Sequence, residues 1–155
     1  MAELSQKLLA RALESLLEEA TFVFAEPAAD PPRFSGPVLL ARITVAGAYH
    51  GELALATSPR TAAMLAANLL GEEEGGADAT GDDRDAVGEL LNMIAGSLAA
   101  DLSPDAPCAL GVPLVRSLPA EEYARFLANA TEAASLVDED GRRIDLSAQV
   151  RGAAR

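Results

Sequence analysis

Four residues near the middle of the chain have types and spacing that could do chemistry. Asp85, Glu89, Asn92 and Gly96 follow one another at intervals of 4, 3 and 4. On a helix, at about 100° per residue, they fall in a stripe roughly 60° wide. Val87, Leu91, Ile94 and Leu98 take the opposite side, with Leu90 at its edge. One face is therefore built for a core. The other offers a carboxylate and a carboxamide a single turn apart; the first accepts hydrogen bonds, the second both donates and accepts. Gly96 beside them leaves room for an approaching surface. Asn is a poor interior helix residue, and Gly costs about 1 kcal/mol against Ala, so a helix that carries both on one stripe is shaped for contact. The same spacing also suits an ordinary polar face, with Asp85 and Glu89 complementing the positive N-terminal end of the helix dipole. On spacing alone both readings stay open.

Other chemistry is hard to build from this chain. His50 is the only histidine, which argues against a Ser–His–Asp triad and against a multi-histidine zinc site; its place in an expected hairpin needs no more than a polar-face or turn role. Cys108 is the only cysteine. No intramolecular disulfide can form, which fits a reducing compartment, and beside Pro107 the thiol reads as a small core filler. Glu72, Glu73 and Glu74 sit in the acidic, Gly-rich stretch 71–84, read as a solvated loop with no fixed geometry for a metal. Glu121 and Glu122 follow Pro119 as a helix-start pair. There is no Gly-rich phosphate loop. The chain is expected to hold neither a metal nor a cofactor of its own.

With 155 residues, half of them hydrophobic, residues 1–155 are expected to form a single domain with a real core. Aromatics are 4% and Trp is absent, so packing must rely on aliphatic layers. Net charge is −12 and the pI about 4.4. That argues against nucleic acid, whose phosphates need Lys and Arg, and against an anionic membrane surface. The first twenty residues are charged and amphipathic rather than a signal peptide, and no apolar run is long enough to span a bilayer. The expected location is the cytoplasm.

The elements that must position the stripe read as follows. Residues 3–20 form an amphipathic helix with Leu4, Leu8, Leu9, Ala12, Leu13, Leu16 and Leu17 on one face. Phe22 and Phe24 suggest a short strand, followed by a Pro-rich loop. Residues 38–46 and 49–56 form a hairpin. A helix follows, with Ser58 as N-cap, Pro59 at its first position and Gly71 as its stop. The stripe-bearing helix spans about 82–102, capped by Asp82 or Asp83 and ended by Ser103-Pro104. Residues 110–118 read as a strand with a Pro near an edge, 119–132 as either helix or strand, and 133–137 with 143–150 as a hairpin about Asp138–Gly141. Ile144, Leu146, Ala148 and Val150 line one side of its second strand. Strands cluster at both ends of a helical middle. The expected class is α+β, a largely antiparallel sheet with helices, two of them long, packed on one face.

The segment DAVGELLNMIAGSLAADL resembles the helix of the CheC/CheX/FliY class of chemotaxis phosphatases, whose signature is an Asp, three residues, a Glu, two residues, an Asn and a later Pro. Asp85, Glu89 and Asn92 match it, and Pro113 is similar to the later Pro at a slightly shorter spacing. The Gly51-Glu-Leu-Ala-Leu stretch, Pro59 and residues 63–71 resemble the segment that precedes that helix. A single E-x-x-N makes the chain more similar to CheX than to two-site CheC; Asn68, on the earlier helix, has no Glu three residues before it. The resemblance implies hydrolysis of the aspartyl phosphate of a CheY-like response regulator. Glu89 would pair with a Lys of the receiver domain, and Asn92 would insert its carboxamide and orient the attacking water. Asp85 and Gly96 would complete the contact face. The receiver would supply Mg²⁺ and the phosphoryl group, and the chain would form a homodimer. The alternative is a non-catalytic module binding a receiver or a flagellar-switch-type partner through the same face.

Overall fold

The computed structural model describes residues 4–47, 49–71 and 81–153. Helix α1 (Gln6–Thr21) starts where the Ser5 hydroxyl accepts the Leu8 N–H at 3.1 Å, satisfying one of the amides a helix start leaves free. Its expected apolar face is the one that packs: Leu9, Leu13 and Leu17 are buried, with Leu4, Leu8, Ala12 and Leu16 against the same core. The strand expected at Phe22 and Phe24 comes slightly later, as β1 (Ala25–Pro27). The chain is still closing the helix there: Phe22 takes a left-handed conformation, and Val23 N–H bonds back to the Leu17 carbonyl.

Strands β2 (Val38–Ala46) and β3 (Tyr49–Thr57) form the expected hairpin. Helix α2 (Pro59–Leu70) carries both expected caps: Ser58 Oγ accepts the Thr61 N–H at 3.1 Å, and Gly71 terminates it at φ 71°, a region open to Gly at little cost. Helix α3 (Gly81–Leu102) begins slightly earlier than expected, so Asp82 and Asp83 lie inside its first turn instead of capping it. The helix absorbs the end of the acidic loop because carboxylates are favoured in a first turn; Glu72, Glu73 and Glu74 lie outside the described residues. The strand expected at 110–118 is two, β4 (Ala109–Leu110) and β5 (Leu114–Leu118). Pro113, which has no N–H to give a ladder, sits between them. The ambiguous stretch resolves into helix α4 (Ala120–Ala128), with Glu121 and Glu122 in its first turn, and the start of β6 (Glu132–Asp138); β7 (Arg143–Ala153) completes the last hairpin.

All seven strands join one antiparallel sheet in the order β1-β6-β7-β3-β2, with β4 and β5 both paired to the outer side of β2. The class is α+β. Side chains alternate across the pleat. Leu39, Ala41 and Ile43, Leu53 and Leu55, and Ile144 and Leu146 point to the face covered by α1, α2 and α3. The opposite residues Val38, Leu40, Ala54 and Ala56 meet Leu118 and Tyr123, so α4 covers part of the second face. Helix packing is thus not confined to one side. The second face also holds a polar cluster: the Tyr123 hydroxyl donates to Asp145 at 2.5 Å, and Arg143 grips the same carboxylate with two bonds of 2.9 Å. Burial, and then the charge of Asp145, push the Tyr123 phenol far above its ordinary value.

Candidate functional site

The site is built on α3. Val87, Leu90, Leu91, Ile94 and Leu98 are all 1% exposed or less. They lock the helix to the sheet and fix which face looks outward. Asp85, Glu89 and Gly96 are exposed and Asn92 is half-buried. All four residues of the stripe thus share the outer face. With a rise of about 1.5 Å per residue, Glu89 and Asn92 stand about 4.5 Å apart along the axis. Neither side chain makes a hydrogen bond or ion pair with any described residue. The carboxylate and the carboxamide are therefore free to bind something outside the chain.

Asn68 behaves in the opposite way. Its Nδ2 donates to the Thr21 carbonyl at 2.9 Å and approaches Met64 Sδ at 3.4 Å. That amide closes the end of α1, so the helix preceding α3 presents no second site. Both asparagines stand on helices of the same layer and differ in what the fold leaves for them to bond.

Two glycines of α3 play different parts. A Cβ added at Gly96 would meet nothing within 4 Å. The fold does not require a glycine there, and the outer face is simply left low. A Cβ at buried Gly88 would lie 3.4 Å from Pro113 Cβ and 3.6 Å from Val115 Cγ2. The β4–β5 connection is thus packed on α3 beside the residue that precedes Glu89. Gly88 is the positioning residue the helical pattern did not single out; a Gly among the core-facing residues of a helix was the available signal, since it costs stability unless something packs close.

The remaining candidates lie elsewhere. His50 is exposed on β3. Cys108 is half-buried before β4 and not in the core; a side chain at Gly47 would run into the backbone of Pro107 and Cys108. Among the described residues, no group of three or more His, Cys, Asp or Glu is placed to hold a metal ion, and no helix is long and apolar enough to cross a membrane.

Comparison with known proteins bears on this face. The family described as chemotaxis phosphatase CheX matches residues 39–126, a stretch that holds α2, α3 and Pro113 and is more than half of the chain. The chain belongs to the CheX family. Solved structures agree in fold. CheX from Desulfovibrio desulfuricans is 19% identical, with a TM-score of 0.67 over 94% of this chain and 97% of that one. CheX from Vibrio vulnificus is 16% identical, with a TM-score of 0.70 over 94% and 95%. CheX from Borrelia burgdorferi, solved as a complex with CheY, BeF3 and Mg²⁺, is 20% identical, with a TM-score of 0.67 over 94% and 96%. FliY from Thermotoga maritima shares the fold at 14% identity and a TM-score of 0.62, over 93% and 88%. No protein of curated function matches the chain. Within a CheX fold, the outward face of α3 carries the E-x-x-N pair, whose side chains have no partners among the described residues.

Proposed function

We propose that this chain accelerates hydrolysis of the aspartyl phosphate on a CheY-like response regulator in chemotaxis signalling, using Glu89 and Asn92. The observation that carries this is the pair itself: an acid and an amide one turn apart, facing outward, without bonds to any described residue, on a helix anchored by its inner face. A phosphorylated receiver as partner is supported by family membership and by the B. burgdorferi complex, since beryllofluoride on an aspartate imitates the phosphoryl group.

The chemistry asks little of the chain. An acyl phosphate is already activated, and positioning is the missing element. The Asn92 carboxamide can hold a water through donor and acceptor together. The water oxygen attacks phosphorus, the bond from phosphorus to the aspartyl oxygen breaks, and the receiver's carboxylate leaves as phosphate is released. A neutral amide does this without adding an anion beside the phosphoryl group. Glu89 pairs with a receiver Lys and sets the angle of approach, and Asp85 and Gly96 extend the contact. Mg²⁺ belongs to the receiver. The chain acts in the cytoplasm as a homodimer.

Phosphate release from a phosphorylated CheY-type receiver, with and without the chain, tests this. Asn92→Ala is expected to abolish acceleration while binding survives, and Glu89→Ala to weaken both. Stable binding with an unchanged phosphoryl lifetime would leave only the non-catalytic reading.

A further inference from the structure

Away from α3, the junction between α1 and β1 exposes apolar surface that the fold does not use. Only four phenylalanines occur in the chain, and two of them flank buried Val23 with 74% (Phe22) and 69% (Phe24) of their surface exposed. Leu70, at the end of α2, is 55% exposed, and the bond from Asn68 to Thr21 ties that end of α2 to the last turn of α1. Phe22 is also the one described non-glycine residue with positive φ, 58°. Helices usually end that way on Gly, because a side chain there is strained. A bulky aromatic held in this conformation and left in solvent adds strain and earns no core packing; such outliers gather at functional surfaces.

The surroundings indicate what would cover it. Phe24 walls a groove of about 390 Å³ between α1, β1 and the end of β6, whose rim carries Glu14, Glu18, Glu26 and Glu139. None of these carboxylates forms an ion pair with a described residue. Asp138 in the same groove is already held by Arg142. An exposed Phe24 set among carboxylates that pair with no described residue, with exposed Phe22 two residues away, fits an occupant with the complementary pattern, apolar anchors flanked by Lys or Arg. We infer that the Phe22–Phe24 surface docks a basic, apolar-bearing segment of a protein partner, at a place distinct from the Glu89–Asn92 face.

The probe is a dye-labelled synthetic helix made only of Leu and Lys, with one face of each, titrated into the full chain; the absence of Trp keeps the optical background low. Phe22→Ser with Phe24→Ser is expected to weaken binding about tenfold or more at unchanged net charge. Glu18→Gln with Glu26→Gln is expected to weaken it and flatten its salt dependence, whereas Asn92→Ala leaves it unchanged. Phe22→Gly separates docking from folding: relieving the left-handed strain holds or raises the Tm while affinity falls, which a merely structural Phe22 could not produce. Equal affinity for the double Phe variant overturns the inference, because the peptide would then be following net charge alone. A change of oligomeric state in the double Phe variant, read by sedimentation equilibrium, also overturns it, because the surface would then belong to a second copy of the chain.

Discussion

Asn92→Ala separates function from fold more sharply than any other single change. The side chain is half-buried and has no hydrogen-bond partner among the described residues, so its removal orphans nothing. Ala is the better helix former by about 0.5 kcal/mol, and for a chain of this size about 1 kcal/mol moves Tm by about 2–4 °C. The variant should therefore melt at the same temperature or about 1–2 °C higher. Its catalytic effect runs the other way. Losing a group that positions the reacting water costs on the order of 100-fold or more, enough to take an accelerated dephosphorylation back to the receiver's own rate. The assay is phosphate release from a phosphorylated receiver, with thermal melting of the same samples. Acceleration kept within about threefold would refute the assignment of Asn92. A fall in Tm of several degrees would refute the premise that its amide faces outward unbonded.

Further outcomes follow from the same geometry. Asn68→Ala should mirror Asn92→Ala: losing the 2.9 Å bond to Thr21 costs about 1 kcal/mol and lowers Tm by about 2–4 °C, with phosphate release unchanged. Gly96→Leu should raise Tm, because a Cβ added there meets nothing within 4 Å and helix propensity improves by about 1 kcal/mol, yet it should block the receiver's approach and show as lost binding in calorimetry. Tyr123→Phe removes a hydroxyl bonded to a buried carboxylate, a loss of about 1.5–3 kcal/mol by denaturant titration. Its pH dependence has a definite sign. The folded phenol's pKa is raised above the ordinary 10.0, so the stabilisation is complete below pH 10 and declines above it, as the unfolded chain loses a proton the folded one keeps. Wild type should lose about 1.4 kcal/mol per pH unit there relative to Tyr123→Phe, and parallel stability curves from pH 8 to 11 would contradict that.

Much of this protein was legible where the physics is local. The caps of α2 were readable because Ser58 and Gly71 act on backbone within one turn of themselves. The buried side of α3 was readable because a period of 3.6 residues groups Val87, Leu91, Ile94 and Leu98 whatever the helix packs on. The α4 region was not. Tyr123, Phe126 and Leu127 have helical spacing, but their partners lie on strands distant in sequence. Asp145 and Ser147 alternate with Ile144, Leu146 and Ala148 along β7, yet both are buried, and Asp145 is held by Tyr123 of α4.

The candidate site divides along the same line. Sequence by itself determined that a carboxylate, a carboxamide and a glycine share one stripe, since that follows from residue spacing on a single helix, and the signature they form pointed to the CheX family. Only tertiary structure decided that this stripe faces outward with Glu89 and Asn92 bonded to no described residue, that the Asn68 amide is spent on the end of α1, and that Pro113 packs against Gly88 beside Glu89. A side chain's direction along its own helix is a local property. Whether its polar atoms stay free depends on which distant segments the fold brings within hydrogen-bonding reach, and spacing along the chain carries no record of that.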